Sequence, residues 1–312
     1  MKLSVIVPCY RSEAFLDELS GRLESSLDGL LESKLLNDYE VIFVIDGSPD
    51  DVATVAKASA AGNSHFRVIE LLRNFGQHNA LVAGIRSARF STVITMDDDL
   101  QHPPEQIHRL LEKLLDSNAD LVYAVPEVEE HGVFRSAASR FVKASLTLAG
   151  VPNANNVGAF RAFRTELRDG FAEAADPSVN LDVLLSWTTT RVEAVTVTMD
   201  RRSEGRSAYN FRSLMRHTMN MITGYGVVPL KLATWLGFLV GVVGLGLLVF
   251  VLVDYFTGAT TVPGFTTTIA VISLFAGAQL VTIGIIGEYL GRQHFRSMQR
   301  PMYVVRDSPR AE

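Results

Sequence analysis

The chain has 312 residues, 47% apolar and 20% charged, a composition that excludes a largely disordered protein. A net charge of −5 argues against a general nucleic-acid binder, whose affinity rests on neutralising phosphates. The single cysteine, Cys9, excludes an internal disulfide and a cysteine-built zinc site.

In chain order, MKLSVIVPCY has too short an apolar stretch for a secretory signal, and Pro8 interrupts it. Leu3 to Val7 is rich in β-branched residues and predicts a strand. Ser12 to Leu31 places Phe15, Leu16, Leu19, Leu23, Leu27 and Leu30 at helical spacing. A second apolar run, Glu40 to Ile45, ends at Asp46-Gly47-Ser48 and precedes a helix from Asp51 to Ala61. A third strand is expected over Phe66 to Leu71, a helix over His78 to Ala88 and a fourth strand over Thr92 to Met96. Strands alternating with helices predict an α/β fold, a mostly parallel sheet with helices on both faces. Ligands of such sheets bind at the carboxyl ends of the strands. Pro8 to Ser12, Asp46 to Ser48, Arg73 to His78 and Asp97 to Gln101 all fall there. Arg73 to His78 fits a turn and helix start, with a pocket-lining role for Asn74 or Gln77 as the sharper alternative.

Three consecutive carboxylates, Asp97-Asp98-Asp99, follow the fourth strand. Crowded like charges call for a cation or for full solvation. In an extended segment Asp97 and Asp99 point to one face, which Gln101 continues, so the pair can share a hard cation such as Mg²⁺ or Mn²⁺. A solvated acidic turn is the alternative, and His102 fits a surface or helix-capping residue better than a ligand.

Further along, Phe134 to Leu148 and Tyr209 to Ile222 have an apolar stripe with arginines beside it, the pattern of a helix lying in a membrane interface. Arg135 and Arg140 in the first are candidates for holding a phosphate at the interface, against a headgroup contact or a solvated face. Leu232 to Val253 and Phe265 to Gly287 carry no charge, and each is long enough to cross a bilayer. Lys and Arg flank the pair on both outer sides and are absent from Asp254 to Gly264. The positive-inside rule then puts both termini in the cytoplasm. The expected organisation is a cytoplasmic N-terminal domain over 1–208, an amphipathic juxtamembrane segment over 209–229, a transmembrane hairpin over 230–290 and a basic tail over 291–312.

The segments VIVPCY, VIDGSPDD, LLRNFGQHNALVAGI, MDDDLQHPPEQI, FRAFR and RSEGRSAY, in this order before a membrane hairpin, resemble the polyprenyl-phosphate glycosyltransferases of glycosyltransferase family 2. That group includes dolichol-phosphate mannose synthases and bacterial undecaprenyl-phosphate sugar transferases with two C-terminal spans. The resemblance implies a GT-A-type domain and Mg²⁺ or Mn²⁺. It also implies inverting transfer of one sugar from a nucleotide-sugar to a polyprenyl phosphate on the cytoplasmic leaflet. The enzyme is then a multi-pass plasma-membrane protein serving the cell envelope, and its relatives form homo-oligomers, including tetramers. By position, Pro8, Tyr10, Ser12, Asp46 and Asp98 fall to the nucleotide-sugar. Asp97, Asp99 and Gln101 fall to the metal and diphosphate, and Arg202 and Arg206 to phosphate.

The chain departs from the family pattern at Ser12, where Glu is usual and Glu13 stands next to it, and at Ile45, where a first Asp is usual. It also departs at Asn156 in place of an acid and at Ala208 in place of a lysine. A hydroxyl acceptor needs a general base, so Asn156 tells against it. A phosphomonoester, with a second pKa of about 6, is already largely dianionic near neutrality. The alternatives are transfer to a hydroxyl acceptor and a catalytically silent scaffold that binds nucleotide-sugar or lipid.

Overall fold

The computed structural model describes residues 1–127, 156–174, 179–200, 228–257, 264–298 and 300–306. The first described unit opens with β1 (Lys2–Cys9), α1 (Glu13–Glu32), β2 (Asp38–Ile45), α2 (Val52–Gly62) and β3 (Phe66–Glu70). It continues with α3 (Gln77–Ser87), β4 (Thr92–Thr95), α4 (Ile107–Asp116) and β5 (Leu121–Pro126). It ends with β6 (Arg161–Arg164), α5 (Leu181–Thr188) and β7 (Val192–Val197). The elements expected up to residue 96 are present, with ends shifted by one or two residues.

The seven described strands lie in the order β3-β2-β1-β4-β6-β5-β7. β1 through β4 are mutually parallel, and β5 and β7 form a second parallel pair. β6 is inserted antiparallel between β4 and β5. This reversal matters for the site, because it brings the first residue of β6, Arg161, opposite the last residue of β4, Thr95.

Both sheet faces are apolar, as the two-sided cover requires. Along β1, Val5 and Val7 face the cluster built with Leu16, Leu19, Leu23 and Leu27 of α1 and Leu110, Leu111 and Leu114 of α4. Ile6 faces the opposite cluster, with Leu81 and Ile85 of α3 and Leu184 and Leu185 of α5. The four α1 leucines are completely buried, each worth about 1.5–3 kcal/mol of transfer free energy. Pro8 sits inside β1 without breaking the sheet. β4 pairs with β1 only from Leu3 to Ile6, so the missing N–H of Pro8 falls beyond that partner.

A second unit, residues 215–298, contains the described helices α6 (Val228–Phe256) and α7 (Phe265–Ser297). Residues 300–306 group with the first unit. Within α7, Leu274–Gly291 is long and apolar enough to cross a membrane; the apolar stretch Leu230–Gly246 of α6 is shorter. The two helices touch each other where Gly244 leaves room for the Phe275 ring, which a Cβ would meet at 2.4 Å. Large apolar side chains such as Trp235, Phe238, Phe250, Leu280 and Leu290 are exposed. Such a continuous apolar surface calls for a partner or a lipid phase.

Candidate active site

The site is assembled where β1, β2 and β4 end. After β4 the chain runs through buried Met96 into the acid triplet. Alternation turns Asp98 away from its neighbours: its Oδ2 accepts a hydrogen bond from Tyr10 N at 3.1 Å. Burial pushes the Asp98 carboxyl up to about 6; the nearby Ser12 hydroxyl and the Tyr10 N–H oppose the rise, and the Asp97 charge adds to it. Ser12 Oγ is itself buried and, among the described residues, makes no hydrogen bond of good geometry.

Asp97 and Asp99 lie together on the other side, and His102 joins them, the three offering ligand atoms all within 4.8 Å of one another. The alternation stops at Leu100, whose φ of +61° turns the chain and buries its side chain. Gln101 is therefore placed by a turn instead of by the continued strand period: its N–H donates to Asp99 Oδ1 at 3.2 Å. His102 comes back under the triplet. Its Nδ1 accepts from Asp97 N at 3.1 Å, and its ring packs against Phe160. Because Nδ1 accepts, the neutral ring carries its proton on Nε2. His102 thus fixes the Asp97 backbone, and the oxygen donors are left to the carboxylates. Two oxygen-bearing acids this close fit a hard divalent cation.

Asp46, at the end of β2, has a different occupation. Its Oδ1 accepts from Phe75 N at 2.7 Å and its Oδ2 from Gly76 N at 2.8 Å. Burial still raises its pKa above the ordinary carboxylate value, against these two amides. Gly47 makes the approach possible, since it adopts φ +56° and a Cβ there would lie 2.2 Å from Arg73 C and 2.3 Å from Asn74 N. The captured turn leads into α3, where Gln77 Nε2 donates to Asp97 Oδ1 at 2.6 Å. Arg73 to His78 is thus a turn and helix start, and Gln77 also touches the acid pair.

The loop after β1 is tied to the loop after β2. Arg11, at φ +57°, donates its N–H to Ser48 Oγ at 2.8 Å. Glu13 N donates to Asp50 Oδ2 at 3.1 Å, and Glu13 Oε2 accepts from Asp51 N at 3.2 Å. The Glu13 carboxylate, the sequence's stand-in for the acid absent at Ser12, is therefore engaged in joining these loops. Tyr10 is 41% exposed at the rim, with the Arg11 guanidinium 5.4 Å from its ring centre.

Behind the acid pair lies a buried network. Arg161 is 2% exposed; its Nη1 is paired with Asp182 Oδ1, and its Nε donates to Thr95 Oγ1 at 3.0 Å. Tyr123 Oη donates to the same Asp182 oxygen at 2.9 Å. Asn180 caps α5 by accepting from Asp182 N and Val183 N, which fixes Asp182 in place. Burial works against the Arg161 charge, but Asp182, Tyr123 and Asp97 together raise its pKa above the usual arginine value. On the far side, Asp200 N donates to Gln101 O at 3.1 Å, and Asp200 Oδ2 accepts from Arg22 at 2.9 Å.

The sequence profile of Glycosyl transferase family 2 matches residues 4–171, more than half of the chain and all of the residues just described up to Arg161. The chain belongs to glycosyl transferase family 2. Its fold is GT-A-like, and it is a glycosyltransferase. Among similar members, an uncharacterized glycosyltransferase of Synechocystis sp. is 31% identical over 309 residues, covering 98% of this chain and 95% of the relative. An undecaprenyl-phosphate 4-deoxy-4-formamido-L-arabinose transferase of Klebsiella pneumoniae is 31% identical over 308 residues, covering 97% of this chain and 92% of the relative. A crystal structure of a mycobacterial protein matches in fold, with a TM-score of 0.50 at 19% identity over 71% of this chain and 72% of that one.

In this glycosyltransferase, Asp97, Asp99 and Gln101 are neighbours at one strand end. Asp98, Tyr10 and Ser12 meet on the adjoining side, and Asp46 holds the turn that leads to Gln77. Pro8 is buried within β1. Arg135, Arg140, Arg202 and Arg206 lie outside the described residues, as do Ala208 and the two amphipathic segments. Asn156 is half-buried. Sequence reasoning set His102 aside and gave Arg161 and Asp182 no role. A backbone contact such as that of His102 leaves no spacing signal, and Arg161 and Asp182 meet only through tertiary folding.

Proposed function

We propose that this family 2 enzyme transfers one sugar from a nucleotide-sugar to a polyprenyl phosphate, with undecaprenyl phosphate as the acceptor. The observation that carries the reading is the Asp97–Asp99 pair at the carboxyl edge of the sheet, in a chain aligned almost end to end with an undecaprenyl-phosphate sugar transferase. The carboxylates of Asp97 and Asp99, with the Gln101 side chain, would hold Mg²⁺ or Mn²⁺. When bound, such a cation neutralises a departing diphosphate.

The chain's own residues supply the rest. Gln77 orients the Asp97 carboxylate and His102 its backbone. The nucleotide is assigned to Tyr10, exposed at the rim, together with Pro8, Ser12, Asp46 and Asp98. Arg202 and Arg206 would take the donor diphosphate. Arg135 and Arg140 would take the acceptor phosphate. No general base is needed: the phosphate dianion attacks the anomeric carbon once positioned, which is compatible with Asn156. The apolar surfaces of α6 and α7 support insertion as a hairpin, with both termini cytoplasmic by the flanking charges, and the enzyme would assemble as a homo-oligomer.

The test is a screen of purified enzyme with undecaprenyl phosphate, Mg²⁺ or Mn²⁺, and a panel of nucleotide-sugars that includes 4-deoxy-4-formamido-L-arabinose, read by mass spectrometry of the lipid. A singly glycosylated lipid phosphate is expected. Transfer to a glycan hydroxyl alone, or nucleotide-sugar binding without transfer, would refute the reading.

A further inference from the structure

Segment 300–306, which follows α7 in the chain, meets the end of β3. Arg306 N donates to Glu70 O at 2.7 Å, Leu72 N donates to Val304 O at 3.0 Å, and Leu71 and Val305 form an antiparallel bridge. Arg306 Nε is 3.1 Å from Glu70 Oε1, and Lys57 Nζ takes the other Glu70 oxygen at 2.8 Å. Met302 is 4% exposed and buried in the cluster that contains Ile69 and Leu71, against which Phe75 and Tyr303 also pack. The Arg86 guanidinium lies 5.8 Å from the centre of the Tyr303 ring.

Among the described residues β3 is the last strand on its side of the sheet, and a bare edge of this kind presents unpaired backbone groups. The segment covers only the point where β3 gives way to the turn. Among the described residues, its backbone bonds go to Glu70 and Leu72. Three residues beyond Leu72, Phe75 N and Gly76 N begin the capture by Asp46, and Gln77 then reaches Asp97. The turn is therefore held at three points: segment 300–306 at its start, Asp46 at its middle and Asp97 at its end.

We propose that segment 300–306 is a positioning clasp for the acid pair. It fixes where the 72–77 turn begins and so holds Gln77 against Asp97. The expected effect on the cation site rests on reading Asp97 and Asp99 as its holders. Loss of a group that orients a ligating carboxylate typically weakens a metal site 10–100-fold.

The test uses the full-length enzyme in nanodiscs. Arg306→Pro removes the N–H given to Glu70 together with the ion pair, Met302→Ala removes the buried anchor, and Arg306→Lys keeps both the N–H and the charge. Mn²⁺ binding is followed by electron paramagnetic resonance, and amide exchange by mass spectrometry over 70–77. Arg306→Pro and Met302→Ala should each weaken Mn²⁺ binding about ten-fold and speed exchange at Phe75 and Gly76. Arg306→Lys should behave as the parent, and Gln77→Ala should reproduce the weaker binding without the faster exchange. Faster exchange at Leu72 with unchanged exchange at Phe75 and Gly76 would overturn the clasp, as would uniform acceleration across the whole unit. If the parent and Asp99→Ala bind Mn²⁺ equally, the reading of the acid pair fails, and the clasp is then judged on the exchange pattern alone.

Discussion

Asp182→Asn is the substitution that most directly probes what lies beneath the acid pair. It is nearly isosteric and leaves the Asn180 cap of α5 in place, but it removes the charge facing Arg161. Arg161 is 2% exposed, so its guanidinium cannot turn to water without opening the β4–β6 end of the sheet. Breaking a buried ion pair by removing one partner costs about 3–5 kcal/mol, because the other charge is left uncompensated. For a unit of this size each kcal/mol lowers the melting temperature by about 2–4 °C, so a drop of about 6–20 °C is expected. The assay is thermal unfolding of the full chain in detergent followed by near-ultraviolet circular dichroism. A second arm replaces both partners, Arg161→Met with Asp182→Leu. Replacing a buried pair by apolar groups is often close to neutral, so the double variant should melt well above Asp182→Asn, short of the parent by the Tyr123 hydroxyl left without its acceptor. A shift below about 2 °C for Asp182→Asn, or a double variant no better than the single one, would refute the assignment of this network as a buried support.

Other outcomes follow from the same geometry. Gly47→Ala places a Cβ against the Arg73–Asn74 backbone at a left-handed position; it should cost at least about 2 kcal/mol and free the turn from Asp46, read by urea unfolding and by amide exchange at Phe75. Asp98, with a folded-state pKa of about 6 against 3.8 unfolded, keeps its proton longer in the folded chain. In chelator-treated protein its contribution is therefore full below about pH 4 and is lost as pH rises through 6, by at most about 3 kcal/mol. Asp98→Asn should flatten that part of the stability–pH curve, and an unchanged slope would remove Asp98 as its source. Arg202→Ala should lower turnover about 10²-fold or more with a melting temperature within 2 °C of the parent, and unchanged kinetics would take Arg202 out of the site.

The first four strands and their helices were legible because each apolar run is bounded by turn residues, and because Leu16, Leu19, Leu23 and Leu27 repeat at the helical period. The closeness of Asp97 and Asp99 follows from the two-residue period of extended chain. That period cannot be carried to Gln101, because Leu100 adopts a positive φ that leucine rarely takes. β6 was not legible: RAFR is four residues long with an arginine at each end, which composition assigns to the surface, whereas Arg161 is buried by its partnership with Asp182. By charge alone the last residues are a basic tail. Only the fold reveals that Met302 is buried and that Val304 and Arg306 pair with the edge of β3.

The central claim is that Asp97 and Asp99 together hold the cation that makes sugar transfer to a lipid phosphate possible. It is tested most directly by the initial rate of transfer to undecaprenyl phosphate as a function of Mn²⁺, for the parent, Asp97→Asn and Asp99→Asn. A loss of about 10²-fold or more in both variants, with melting temperatures unchanged and no transfer by the parent in chelator, is the predicted result. Equal rates in parent and variants, or full activity of the parent in chelator, would contradict it.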